Sequence, residues 1–281
     1  MKDREEDRFS RAASAFLGRC GMGPGLVPGL SCLQEIYRVF GRLPYENVSK
    51  IIKYRLQGAA GSPSLRGPAE VIEGFLEERL GGTCFSLTQA LYALLGFCGF
   101  DCYRVLGDMH HGPNIHCAVV VRLAAEKYLC DSGYLVPEPL RLDPAGRSAL
   151  QGPLYTYLLE ADPGAEGVYH LYTRSPGGGT RWRYLVRDRA VSDRVFEHHW
   201  HRTFEAPMNR SLLLSRNDEQ GQVYIHKHKL RLTTARGHRN SNIRLDLAQR
   251  VEELFGIDRE RTACALSLLE QSGAGPREEA P

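Results

Sequence analysis

Near residue 100 the hydrophobic period of the chain changes, and this limits the possible folds more than any other feature of the sequence. Before that point apolar residues recur at helical spacing. Ser31 to Phe40 reads as one amphipathic helix, broken before Pro44. Pro68 to Arg79 reads as a second, with Val71, Ile72, Phe75 and Leu76 on one face and Gly81-Gly82 ending it. From Cys84 onward, Leu87, Ala90, Leu91, Leu94 and Leu95 follow the pattern of a buried helical face until Gly99 stops it. Beyond residue 100, the segments 101–107, 116–123, 127–134, 154–159, 168–174 and 181–187 read as strands separated by Gly, Pro and charged turns. A further hairpin is expected from 211–216 and 222–233, and a last amphipathic helix over Leu245 to Phe255. Helices first, then a block of strands, then a small mixed region define an α+β protein. The expected partition is a helical domain over 1–100, an antiparallel β-barrel over 101–205, an α/β lid over 206–271 and a disordered tail over 272–281.

A net charge of only +3 gives no reason to expect a nucleic-acid or membrane partner, and no apolar run reaches the roughly 18 residues of a membrane helix. Met1 to Phe9 mixes both charge signs and does not resemble a secretory signal, so the cytoplasm is the expected location. Eight cysteines (Cys20, Cys32, Cys84, Cys98, Cys102, Cys117, Cys130 and Cys264) lack any CxxC spacing. In such a chain they read as thiols rather than as disulfides or zinc ligands. The histidine-rich runs HHWH and IHKHK lack a companion cysteine or carboxylate pattern, and the second suits an exposed strand face, so no metal site is expected. RWRYLVRDRAVSDR reads as a solvated strand and turn.

Three residues suggest chemistry. Cys84 follows Gly81-Gly82-Thr83 and opens a helix, where free N–H groups and the helix dipole favour a thiolate. Taken alone, the same residues also suit a helix stop beside a core cysteine. His116 opens the apolar strand HCAVVVRL, and Asp131 lies in KYLCDSGY, the next one. A loop of two or four residues centred on Ala124-Ala125 gives pair sums of 249 and sets Asp131 opposite Ala118. His116 shares that face, so the two become diagonal neighbours within hydrogen-bonding reach. A three-residue loop would break the match. Cysteine, histidine and aspartate then form a nucleophile, its base and the group that orients the base.

Beyond these three residues, most of the chain, from about Phe16 to Leu269, resembles the arylamine N-acetyltransferases. The opening FLGRCGMGPGLVPGLSCLQEIYRVFGRLPYENV leads to Pro44-Tyr45-Glu46-Asn47, similar to the family's Pro-Phe-Glu-Asn. GGTCF resembles the nucleophile motif, NIHCAVVV the histidine strand and YLCDSGY the aspartate strand; EAPMNRSLLLSR and VEELFGID resemble C-terminal signatures. The resemblance implies a helical bundle, a central antiparallel β-barrel and an α/β lid around a cysteine-protease-like catalytic core. It implies Cys84, His116 and Asp131 as the catalytic residues, Tyr45 and Tyr134 as acceptor-binding aromatics, and Gly112 and Asn209 as contacts for CoA. The implied partners are acetyl-CoA or another acyl-CoA as co-substrate, with no permanent cofactor, and a small-molecule amine.

The departures cluster around the nucleophile. Leu80 stands where the family has arginine before Gly-Gly, and Thr83 where an aromatic is common. Ser86, Thr88 and Leu135 also differ. Glu46 thereby loses its usual arginine partner, and Arg79 or Arg19 are the expected substitutes. The altered surroundings keep two further readings open: an amide synthase that takes a longer acyl chain from a CoA or carrier-protein thioester, and a cysteine hydrolase or transglutaminase-like enzyme.

Overall fold

The computed structural model describes residues 2–23, 25–57, 65–205 and 207–271. The segment expected to be a disordered tail, 272–281, lies outside them. Five helices precede the barrel strands: α1 (Lys2–Arg19), α2 (Leu30–Phe40), α3 (Val48–Gln57), α4 (Pro68–Glu78) and α5 (Cys84–Phe97). Helix α4 stops before the glycine pair, because Arg79 takes the left-handed conformation (φ 58°) and its N–H returns to the last turn.

Eight antiparallel strands follow: β2 (Cys102–Met109), β3 (Gly112–Leu123), β4 (Glu126–Cys130), β5 (Leu140–Arg141), β6 (Arg147–Gln151), β7 (Thr156–Ala161), β8 (Val168–Arg174) and β9 (Thr180–Arg187). Their spatial order is β5-β4-β3-β2-β9-β8-β7-β6, and β5 and β6 at the two ends touch, so the sheet is a nearly closed barrel. Strand β3 is buried on both faces. Val119 and Val121 pack into the helical core with Phe16, Phe40 and Leu91, while Ala118 and Val120 fill the barrel with Leu129 and Tyr184. This double burial is why HCAVVVRL is continuously apolar rather than alternating.

A second sheet, in the order β1-β10-β11-β12-β13, contains β10 (Leu213–Asp218), β11 (Gly221–His226), β12 (Lys229–Thr234) and β13 (Gly237–Asn242). Its first strand, β1 (Tyr45–Glu46), comes from among the N-terminal helices and pairs Tyr45 with Ser215 and Glu46 with Leu214. Helix α6 (Asp193–Arg202) joins the two sheets, and α7 (Leu247–Phe255) and α8 (Arg259–Gln271) close the chain. Val48, Ile51 and Leu80 share a core with Leu214, Ile225, Val251 and Leu269. The first hundred residues therefore contribute to the C-terminal unit, a crossing that a linear division at 100 and 206 does not contain.

One sequence expectation needs correction. The stretch 222–233 is two strands, not one, because Lys227 (φ 56°) and His228 form a two-residue hairpin turn within IHKHK. HHWH lies on α6, and among the described residues no group of three or more His, Cys, Asp or Glu could hold a metal ion. No described helix is long and apolar enough to cross a membrane.

Candidate active site

The strand register around His116 follows from the turn at Ala124. Leu123 pairs with Glu126, Arg122 with Lys127, and the ladder runs to Val119 opposite Cys130, every pair summing to 249. The strand ends there, earlier than the expected 127–134. Asp131 leaves the ladder because its Oδ1 accepts the Tyr134 N–H at 2.8 Å, which turns the chain. Its Oδ2 lies 2.7 Å from His116 Nε2 and also accepts the Tyr184 hydroxyl. Asp131 is wholly buried and His116 is 3% exposed. A carboxylate that only accepts fixes the imidazole proton on Nε2 and leaves Nδ1 as the free basic nitrogen.

Cys84 is the first residue of α5, with Thr83 extended before it and no side chain capping the helix. First-turn N–H groups and the positive end of the dipole therefore remain available to the sulfur. Gly133, in the turn after Asp131, lies against Cys84. A Cβ there would come within 2.6 Å of Cys84 Cβ and 3.3 Å of His116 Cε1. The turn that starts at Asp131 thus brings Cys84 and His116 to the same point at the mouth of the barrel.

The electrostatics follow from these contacts. The Cys117 thiol donates towards the Cys84 sulfur, and despite burial this bond, His116 and the Lys50 charge hold Cys84 well below the usual thiol range. Burial alone would lower His116, but Asp131 and the Cys84 sulfur outweigh it and raise the imidazole to about 10. The coupled pair thus favours thiolate and imidazolium.

The loop before Cys84 is braced by a second buried network. Gly82 N–H donates to the Pro44 carbonyl at 3.2 Å, and Glu46 N–H to the Gly82 carbonyl at 3.0 Å. A Cβ on Gly81 would fall 1.8 Å from the Pro44 carbonyl oxygen, so only glycine fits. Neither Arg79 nor Arg19 meets Glu46. Arg79 is spent on the α4 terminus and its guanidinium lies over Phe75, while Arg19 donates to the Leu76 carbonyl. The partner is Arg66, which comes from the segment before α4 and is 6% exposed. Its Nη1 lies 3.5 Å from Glu46 Oε1, 2.7 Å from Ser49 Oγ and 2.5 Å from the Gly81 carbonyl oxygen. Asn47 then fastens the same loop to the C-terminal sheet, donating to the Ser211 carbonyl and accepting from the Leu213 N–H, each at 2.8 Å.

Cys84 and His116 open onto a cleft of about 1800 Å³. Tyr45 and Tyr134 line it, as do Lys50, Arg181, Arg183, Arg202, Arg210, Lys227 and Arg231, with Glu205 as its one carboxylate side chain among the described residues. Gly112 and Asn209 do not line it. The neighbours of Gly112, His111 and Pro113, do. Asn209 instead braces the chain behind the wall, donating to the Thr203 and Phe204 carbonyls. Sequence reasoning passed over Lys50, Arg66, Cys117 and Tyr184. Tyr184 was accessible to it, since alternation through Trp182, Tyr184 and Val186 points it into the barrel; the other three depend on long-range packing.

Solved structures of arylamine N-acetyltransferases share this fold. The enzyme from Mycobacterium abscessus superposes with a TM-score of 0.77 at 20% identity, covering 91% of this chain and 93% of that one. The Salmonella typhimurium enzyme gives 0.74 at 18%, covering 94% and 98%. A Bacillus cereus relative, described as having a unique Cys-His-Glu catalytic triad, gives 0.71 at 19%, covering 89% and 98%. In sequence the chain is 22% identical over 195 residues to YvcN, an uncharacterised acetyltransferase of Bacillus subtilis, covering 66% of this chain and 73% of that one. The family model for N-acetyltransferases matches residues 30–262. The chain belongs to the arylamine N-acetyltransferase family.

Proposed function

We propose that this protein moves an acetyl group from acetyl-CoA to an arylamine, hydrazine or similar amine through an acetyl-Cys84 intermediate. The observation that carries the reading is the buried Asp131–His116 pair beside a cysteine at a helix N-terminus. The Cys84 thiolate attacks the thioester carbonyl, and CoA leaves as its thiolate, taking the proton that His116 holds. The amine then attacks acetyl-Cys84, and His116, neutral again, accepts the amine proton. The amide departs and the Cys84 thiolate is restored. Exchange of one thioester for another is nearly thermoneutral, whereas amide formation is downhill, so the second step draws the first forward.

Asp131 holds the imidazole in the tautomer this needs, and the Tyr184 hydroxyl shares the load of its charge. Tyr45 and Tyr134 offer flat apolar walls to an aromatic acceptor. The arginines and Lys227 of the rim suit the phosphates of CoA better than Gly112 or Asn209, neither of which lines the cleft. Acetyl-CoA as donor suits the expected cytoplasmic location. A second reading, a longer acyl chain on the thioester, is favoured by the size of the cleft, which exceeds the roughly 300–1,000 Å³ of an ordinary ligand pocket.

Mixing the protein with acetyl-CoA and no amine tests the proposal. The expected result is a burst of about one CoA per chain and a 42-Da adduct, about the mass of an added acetyl group, on the peptide containing Cys84. The burst should be absent in Cys84→Ala. Acylation by longer thioesters alone would transfer the reading to an amide synthase, and turnover of peptide amides would transfer it to a hydrolase.

A further inference from the structure

Lys50 is 5% exposed, yet it lines the cleft. It lies in the first turn of α3, four residues after Glu46, in a helix whose neighbouring Val48 and Ile51 are core residues. Its ammonium donates to the Thr203 hydroxyl at 2.7 Å and the Thr203 carbonyl at 3.1 Å, and lies 4.4 Å from the centre of the Phe204 ring. All of these partners are neutral. Among the described residues no carboxylate forms an ion pair with Lys50. Glu46, the nearest in sequence, is committed to Ser49 and Arg66. Burying an ammonium without a counter-charge is costly, and such a group is retained where something anionic meets it. Burial lowers Lys50 only to about 8, so it remains mostly protonated at neutral pH.

The Cys84 thiolate supplies part of the missing charge in the resting protein, since the two groups feel one another across the cleft floor. Phe204, under the ammonium, belongs to the same apolar cluster as Cys84 and Cys117. That compensation vanishes once Cys84 is acylated, because a thioester is neutral. At that stage Lys50 has two N–H bonds to Thr203 and one donor left, in a cleft that holds an acyl group and an incoming amine. The phosphates of CoA sit at the far end of a long pantetheine arm from its sulfur, so they are not the natural partner of a buried cation that senses the charge on Cys84.

We propose that Lys50 is a specificity-determining residue that binds a carboxylate carried by the substrate close to the reacting carbonyl, on the acyl group or on the amine acceptor. The proposal rests on the acyl-transfer reading above. It adds a substrate feature, a negative charge in the same cleft as the thioester, that the catalytic residues themselves do not require.

The test compares matched pairs of substrates on the full-length protein. For the acceptor, 4-aminobenzoate is compared with 4-methylaniline, using acetyl-CoA as donor. For the acyl group, succinyl-CoA is compared with butyryl-CoA, using one neutral amine. Each comparison is made for the natural protein, Lys50→Met and Lys50→Arg. Taking the ratio within a pair cancels any change in Cys84 reactivity that the substitution causes. In one pair the natural protein should favour the carboxylate by about tenfold or more in kcat/KM, as expected for a charged hydrogen bond. Lys50→Met should bring that ratio near one, mainly through KM, and Lys50→Arg should keep most of it. The pair that responds identifies which substrate carries the carboxylate. If both ratios are the same in the natural protein and Lys50→Met, Lys50 reads no carboxylate, even though acyl transfer proceeds. If no thioester acylates Cys84 in the natural protein, the acyl-transfer reading itself fails.

Discussion

Two buried charge networks flank the Gly81-Gly82-Thr83-Cys84 segment, and they are built to opposite ends. In the Glu46–Arg66 network the guanidinium is spent on the fold: Ser49, Gly81, Glu46 and the Glu70 carbonyl all receive from it. The result is a fixed loop. In the Asp131–His116 network the carboxylate is equally well bonded, by Tyr134, His116 and Tyr184, but the imidazole keeps one ring nitrogen for its neighbour. A fully satisfied network holds a shape, whereas one with a single unsatisfied position can move a proton. The first should therefore control whether the protein is folded around Cys84, and the second how fast Cys84 reacts.

Asp131→Asn should separate them most sharply. An amide can hold the imidazole in the wrong tautomer, so the rate of CoA release should fall by about 10³–10⁴ while the melting temperature changes little. An enzyme of undiminished rate would remove Asp131 from the mechanism. Arg66→Met should do the reverse. It leaves Glu46 buried without a cation and should lower stability by about 3 kcal/mol or more, read by urea unfolding. The molecules that remain folded should keep most of their activity; a large drop in their rate with unchanged stability would contradict the division. Gly133→Ala lies where the Asp131–His116 network meets Cys84. Its methyl group would enter the space of Cys84, and a misplacement of this kind should cost about 10² in rate. The smallest effect is one of pH. Because the Cys117 thiol and the imidazolium hold Cys84 below its ordinary range, alkylation by iodoacetamide should be nearly flat from pH 7 to about 9. An inflection at the free-thiol value of 9.0 would mean that the sulfur is not ionised at neutrality.

The Asp131–His116 network was the more legible of the two in the sequence. Its geometry depends on a hairpin, and a hairpin has local arithmetic: a turn at Ala124-Ala125 fixes every pair back to Val119, and Asp131 falls next to His116. Cys84 could be placed at a helix start from the glycines before it and the apolar spacing after it. The structural network had no such arithmetic. Arg66 lies between Leu65 and Gly67, in a stretch with no periodic pattern, and its partners belong to α3 and the glycine loop. Arg79 and Arg19 were nearer by sequence logic, but a left-handed helix end and a backbone carbonyl already occupied them. Lys50 was hidden for a related reason: one polar residue in the first turn of an amphipathic helix reads as solvent-facing until Thr203 and Phe204 are known to cover it.

Strand β1 is only two residues long, yet it bonds the glycine loop on one side and β10 on the other. One consequence concerns the order in which the molecule is made. During synthesis the helices and the barrel emerge first, with Cys84, His116 and Asp131 already translated. The strand that fastens Tyr45 and Glu46 in place arrives only with Leu214 and Ser215. Such long-range pairing forms late. A ribosome-bound chain that stops short of β10 should therefore carry Cys84, His116 and Asp131 and remain inert towards thioesters. The nascent enzyme would thus be kept from acylating itself until its last third has folded back onto its first.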